Sequence, residues 1–231
     1  MVRVSRKWTY VLAFMLLQIS CAHAPEISRS KEQIWFNKAA QDVYFVEHRP
    51  EPGVKGDHTW AGSGFQVLLG NGRKVIITND HVCLGEVSQY AYVRNYVHRE
   101  PMTARIIAYS VELDLCALET VGFDGYYNIA PLSSVYQWEK IRYYGYPAGL
   151  GLSMFEANLL GSKIDIDKDG HTSYTPVFNN VAIPGNSGGP MVDAQDHVLG
   201  VVTWHMEEQD DLGGYVDLLK LTTFLRAVSN L

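Results

Sequence analysis

Short apolar runs separated by turn residues dominate the chain beyond residue 40. Residues 65–69 and 74–78 flank Gly70-Asn71-Gly72. An Asn-Gly pair tolerates positive φ, so this pattern predicts a β-hairpin. Further runs at 104–109, 115–119, 142–144, 152–160, 174–178 and 198–204 predict more short strands. Strands at such spacing, with turns between them, build a sandwich or a barrel. Two segments have helical spacing instead. Residues 30–41 form a short amphipathic stretch with Ser30 placed to cap it. Leu218, Leu221, Phe224, Leu225 and Val228 put one apolar face on a closing helix. No repeat or long linker follows residue 30, so the pattern predicts one all-β domain with a C-terminal helix.

The N-terminal stretch breaks the pattern. Arg3, Arg6 and Lys7 precede an apolar run of twelve residues, 8–19. That run has the length of a signal-peptide core and is short for a membrane span. Ala22-His23-Ala24 fits a signal-peptidase site, although Pro25 follows it. Ser20-Cys21 resembles a lipoprotein box, with Gln18 where Leu is usual, and makes Cys21 a lipidation candidate. We read 1–24 as a signal or lipoprotein signal, 25–39 as a segment carrying the short helix, and 40–231 as the domain. Export to the periplasm or cell envelope is expected, with a lipid anchor at Cys21, soluble secretion or an uncleaved anchor as the alternatives, and with membrane contact through this end alone.

Composition supports a globular body, at 47% hydrophobic and 19% charged residues. Fourteen Tyr and eight Phe lean it toward strands. The formal charge is −6, and loss of the first twenty residues removes three positive charges and no acids, leaving −9. An acidic body without a basic stripe excludes nucleic acid as a partner. No metal or cofactor motif stands out: 165–170 (Asp-Ile-Asp-Lys-Asp-Gly) begins like a calcium loop, but Pro176 stands where a bidentate Glu is needed, so a hairpin turn accounts for it.

The chemistry concentrates in Pro184-Gly185-Asn186-Ser187-Gly188-Gly189-Pro190. Glycines on both sides of a serine let the backbone bend sharply and keep bulk away from an approaching carbonyl. Such a turn can aim the N–H groups of Gly185 and Ser187 at one point, as an oxyanion hole. A serine hydroxyl needs a base to become a nucleophile. Of eight histidines, His81 in Thr78-Asn79-Asp80-His81-Val82 directly follows an apolar strand and is the candidate base. His48, His58, His98, His171 and His197 lie in polar, turn-like surroundings and read as surface residues. Asp114 lies in an otherwise apolar run, where a carboxylate needs a partner, so it is the candidate that orients the imidazole. Asp80 is its rival but adjoins His81 and reads as a turn cap. Cys83 and Cys116 each lie two residues past His81 and Asp114, so a disulfide between them is expected if those two residues meet.

The order His81, Asp114, Ser187 resembles that of the trypsin/chymotrypsin clan. The intervals of 33 and 73 residues resemble bacterial HtrA-like (Deg) peptidases. Gly62-Ser63-Gly64-Phe65 and Gly145-Tyr146-Pro147 add to the likeness. The resemblance implies two six-stranded antiparallel β-barrels with the triad in the cleft between them. Asn186 replaces the Asp of digestive enzymes that pairs with a freed N-terminus, which argues against that route of activation. HtrA-like enzymes usually carry a PDZ domain, and 41 residues after Pro190 leave no room for one, so a stand-alone protease is expected. By resemblance residues near Val181, Ala182 and Ile183 and the strand Thr203-Trp204-His205 line the specificity pocket. Thr203 and Trp204 resemble the segment that pairs with the substrate backbone. His205 replaces the usual glycine of the pocket wall, which narrows the pocket or favours an acidic side chain. With Val181 in place of an acid, cleavage after Lys or Arg is not expected.

These readings predict a serine endopeptidase acting on proteins or peptides through an acyl-enzyme. A catalytically silent peptide-binding protein of the same fold, or an esterase using the same three residues, are the alternatives.

Overall fold

The computed structural model describes residues 30–49, 60–119, 122–132, 139–166, 172–180, 182–205 and 212–231. Packing divides the chain into two units, Met1–Trp35 and Phe36–Leu231. The second carries the strands. Cys21, Val181, His58, His171 and residues 167–170 of the calcium-like sequence lie outside the described residues.

In chain order the elements are α1 (Lys31–Asp42), β1 (Val43–His48), β2 (Trp60–Leu68), β3 (Lys74–Thr78), α2 (Asp80–Cys83), β4 (Tyr90–Asn95), β5 (Met102–Ser110) and β6 (Leu115–Glu119). There follow β7 (Asn128–Ile129), β8 (Lys140–Gly145), β9 (Ser153–Ile166), β10 (Thr172–Asn179), β11 (Pro190–Val192), β12 (His197–His205), β13 (Leu212–Asp217) and α3 (Leu218–Ser229). β1 to β6 close into a barrel in the order β1-β2-β3-β6-β5-β4. The second sheet runs β11-β8-β9-β10-β13-β12, and the β11–β12 pairing closes it into a second six-stranded ring. β7 adds to β12 in parallel. The expected pair of antiparallel barrels is therefore present.

Alternation along the strands sorts the apolar residues into separate cores. Tyr44, Val46, Ile76, Ala91, Val93 and Leu118 fill the first barrel. Their neighbours Val43, Phe45, Val75, Ile77, Leu115 and Ala117 face the other way, into a layer shared with Tyr144, Tyr146 and Val201 of the second barrel. Tyr143, Leu159, Phe178, Met191, Leu199 and Tyr215 fill the second barrel. Burial on both faces explains why β1 shows no period-2 pattern. The helix α3 seats Leu221, Phe224, Leu225 and Val228 in the shared layer, and Asp217 caps it by accepting from the Lys220 N–H at 2.9 Å.

His48, the last residue of β1, is buried, which corrects its reading as a surface residue. Its polar sequence neighbours conceal that it ends a strand paired to Trp60 on β2. Among the described residues no helix is long and apolar enough to cross a membrane.

Candidate active site

The first-barrel register assembles half of the site. Thr78, the last residue of β3, pairs with Cys116 on β6. The chain just beyond β3 therefore lies beside the chain just before β6. His81 is on the single turn α2, and Asp114 ends the turn that leads into β6. The His81 Nδ1–H donates to Asp114, with Nδ1 at 2.9 Å from Oδ1 and 3.0 Å from Oδ2, and the His81 backbone N–H donates to Oδ1 at 3.2 Å. With its proton held on Nδ1, the ring presents Nε2 as an acceptor.

One expectation about the neighbouring acids needs correction. Asn79, not Asp80, stands at the cap of α2; its side chain makes no cap bond, and its Nδ2 donates to the Asp114 carbonyl at 2.8 Å. Asp80 is buried, and among the described residues its Oδ1 has no hydrogen-bond partner. Burial raises its carboxyl above the ordinary aspartate value, reinforced by the charges of Asp114 and Glu86 and opposed by a backbone hydrogen bond at Gly85 and by His81. Asp114 stands just before β6. It adopts φ 50°, a left-handed conformation that aspartate tolerates, and its side chain is 30% exposed.

The second barrel supplies the serine. The turn from Pro184 to Gly189 is closed by Asn186 N–H donating to Ile183 O and Gly189 N–H to Asn186 O, both at 2.9 Å. It is clamped onto the first barrel by Ser63, whose N–H donates to Ser187 O and whose Oγ donates to Gly185 O, both at 2.7 Å. On its other side Gly188 N–H donates to Val202 O at 2.8 Å. Gly188 has φ 86°, and a Cβ there would run into the Ser63 carbonyl and Thr78 Oγ1. Only glycine fits a backbone this close to its neighbours. Asn186 is fully buried, and among the described residues its side-chain polar atoms have no partner; a neutral amide there cannot anchor the turn by an ion pair.

Thr203 ties the two halves together. Its hydroxyl donates to Asp114 Oδ2, and its carbonyl accepts the Ser187 hydroxyl at 2.7 Å. The β12–β13 register shifts between Val202 and Trp204, leaving Thr203 as the bulged residue whose groups point off the ladder. Among the described residues no hydrogen bond joins Ser187 to His81. Likewise no backbone carbonyl accepts the N–H groups of Gly185 or Ser187. Sequence reasoning placed Thr203 in a substrate-pairing segment and missed its bond to Asp114. The signal was there: a threonine inside an apolar strand needs a polar partner.

Ala182 is buried among Tyr143, Phe178, Leu199, Val202 and Tyr215 in the second core. Trp204 and His205 continue β12 and pair with Gly214 and Gly213. Cys83 and Cys116 form the expected disulfide. Among the described residues no group of three or more His, Cys, Asp or Glu is placed to hold a metal ion.

Two barrels that bring a histidine–aspartate pair up to a glycine-bound serine define the class. A family model described as the trypsin-like peptidase domain matches residues 62–201, and the chain belongs to that family. It is 30% identical over 165 residues to the serine protease Do-like HtrA of Bacillus subtilis (strain 168), covering 67% of this chain and 36% of that one, so it spans about a third of that relative's length. The Rv3671c protease from M. tuberculosis in its active form superposes with a TM-score of 0.69 at 20% identity, over 84% of this chain and 83% of that one. A serine endoprotease from Yersinia pestis gives a TM-score of 0.65 at 18% identity, over 89% and 68%. The two structures bear on the fold.

Proposed function

We propose that the protein is a serine endopeptidase that cleaves proteins or peptides through an acyl-enzyme, with Ser187 as nucleophile, His81 as general base and Asp114 as the group orienting His81. The observation that carries this reading is the continuous chain Ser187–Thr203–Asp114–His81, set beside two N–H groups that no backbone carbonyl accepts among the described residues.

In this reading Ser187 Oγ leaves the Thr203 carbonyl and attacks the scissile carbonyl while His81 Nε2 takes its proton. Asp114 stabilises the imidazolium without itself becoming protonated. The N–H groups of Gly185 and Ser187 bind the developing oxyanion, each contributing about 3 kcal/mol to the transition state. His81 then protonates the leaving amine, and water repeats the sequence to free the acyl group. Thr203 and Trp204 pair with the substrate backbone, and Val181, Ala182 and His205 flank the specificity pocket. The basic N-terminal stretch and its apolar run support export, with Cys21 as the lipid site if the signal is cleaved immediately before it. A disulfide in the body is consistent with an oxidising compartment.

Ser187→Ala should lower kcat on an unfolded protein substrate by about 10⁶ and abolish labelling by a fluorophosphonate probe. Cleavage by the variant at the parent rate would overturn the proposal. The resting bond from Ser187 to Thr203 gives one specific reason to consider a catalytically silent peptide binder. Failure of the folded parent protein to react with the probe would favour that alternative.

A further inference from the structure

The hydrogen bond between His81 and Asp114 is poorly protected by its surroundings. The two side chains are 46% and 30% exposed, so water competes for every group in it. Neither side chain sits on a strong element. α2 is a single turn, too short to stand on its own, and it ends at Leu84 in the left-handed region with φ 53°. Asp114 ends a turn held by its own N–H to Val111 O at 3.2 Å and by Leu113 N–H to Ser110 Oγ at 3.2 Å. The Asn79 side chain, donating to the Asp114 carbonyl at 2.8 Å, and the Thr78–Cys116 ladder pairing already join the two backbones, and a covalent tie holds them more firmly than these weak bonds.

The disulfide joins the same two segments of chain. Cys83 and Cys116 are each two residues past His81 and Asp114, and both pairs are 33 residues apart in sequence. Both cysteines are completely buried, in the first-barrel core beside Val82, Ile76 and Leu118. The covalent bond therefore repeats, on the dry side of the backbone, the contact that His81 and Asp114 make on the wet side. It joins the end of α2 to the start of β6.

We propose that the Cys83–Cys116 disulfide is a positioning device for the active site, fixing α2 against the turn before β6 so that His81 stays in register with Asp114. The bond touches no substrate. It acts through His81, and its loss lets α2 drift on its single-turn base. A displacement of about 1 Å at a reacting group can cost as much as about a hundredfold in rate. The kinetic half of the inference rests on the hydrolytic reading above, and the geometric half does not.

The test compares the parent protein with Cys83→Ala/Cys116→Ala, with each single alanine variant and with Cys83→Ala/Cys116→Val, which refills lost volume. Two quantities are read below the unfolding temperature of each variant: the downfield proton resonance of the His81 Nδ1–H held by Asp114, and kcat and KM on one peptide substrate. The expected result is a resonance broadened or lost while the remaining amide spectrum stays dispersed. Alongside it, kcat should fall about ten- to hundredfold with KM within about twofold. Each single variant should match the double, since either one removes the same bond. An unchanged resonance and kcat in any folded variant lacking the bond overturns the proposal. So does full recovery in the valine variant, because volume alone would then explain the effect. If the parent cleaves nothing, the resonance still decides the positioning, and only the hydrolytic reading falls.

Discussion

The hydroxyl of Thr203 donates to Asp114 while its carbonyl holds the hydroxyl of Ser187. One residue of the second barrel thereby contacts both the carboxylate and the candidate nucleophile, across the seam between the barrels. A bulged residue can do this because its polar groups are released from the ladder.

Thr203→Val keeps the carbonyl and removes the hydroxyl. A hydrogen bond to a charged group is worth about 1.5–3 kcal/mol, so kcat/KM on a peptide substrate should fall roughly ten- to hundredfold. Thr203→Ser should retain most of the activity. Equal activity in the valine variant would show that Asp114 is held well enough by His81 and the backbone.

Gly188 and Gly72 both have positive φ, 86° and 83°, but their surroundings differ. A Cβ at Gly72 meets nothing, whereas at Gly188 it meets the Ser63 carbonyl and Thr78 Oγ1. Gly72→Ala should cost only the left-handed penalty, about 1–2 kcal/mol. Gly188→Ala should cost about 3 kcal/mol or more by forcing the two barrels apart at the site. Urea unfolding of the two variants measures the difference, and equal costs would mean that the Ser187 turn moves freely.

Asp80 binds its proton more readily in the folded protein than in the unfolded chain. Its ionisation therefore subtracts stability as pH rises from the ordinary aspartate value of 3.8 through the raised folded value. Asp80→Asn should match the parent in stability below pH 3.8 and be the more stable of the two at neutral pH. Urea midpoints across a pH series test this. A difference that shrinks with rising pH would reverse the sign and with it the assignment to burial.

The disulfide closes a 33-residue separation. By the chain-entropy account its loss should cost about 3–4 kcal/mol, leaving a domain of ordinary stability mostly folded. Calorimetry of Cys83→Ala/Cys116→Ala measures the loss. A melting temperature equal to the parent's would place the stabilisation elsewhere.

Much of this was legible along the chain, and the illegible parts share one cause. The β2–β3 hairpin, β6 and α3 carry local signatures, an Asn-Gly turn or a clean apolar period, and they lie where those signatures put them. β1, β4 and β13 were missed. β1 is buried on both faces, and β4 mixes Arg and Tyr into its pattern. β13 opens on Leu-Gly-Gly. His48 was misplaced for the same reason, because its burial comes from a partner strand and not from its neighbours in sequence.

The sequence by itself determined which residue types are available for chemistry: a serine among glycines, a histidine after a strand, an aspartate that needs a partner, and two cysteines equally spaced behind them. Those are local facts about backbone freedom and the cost of unpaired charge. Only the tertiary structure decided that Asn79 and not Asp80 takes the cap of α2. It also decided that the Ser187 hydroxyl rests on the Thr203 carbonyl, and that a bulge lets Thr203 reach Asp114 from the other barrel. Such contacts depend on strand register and the docking of two barrels, which are set by many weak contacts summed over distant residues, and no single stretch of chain encodes that sum.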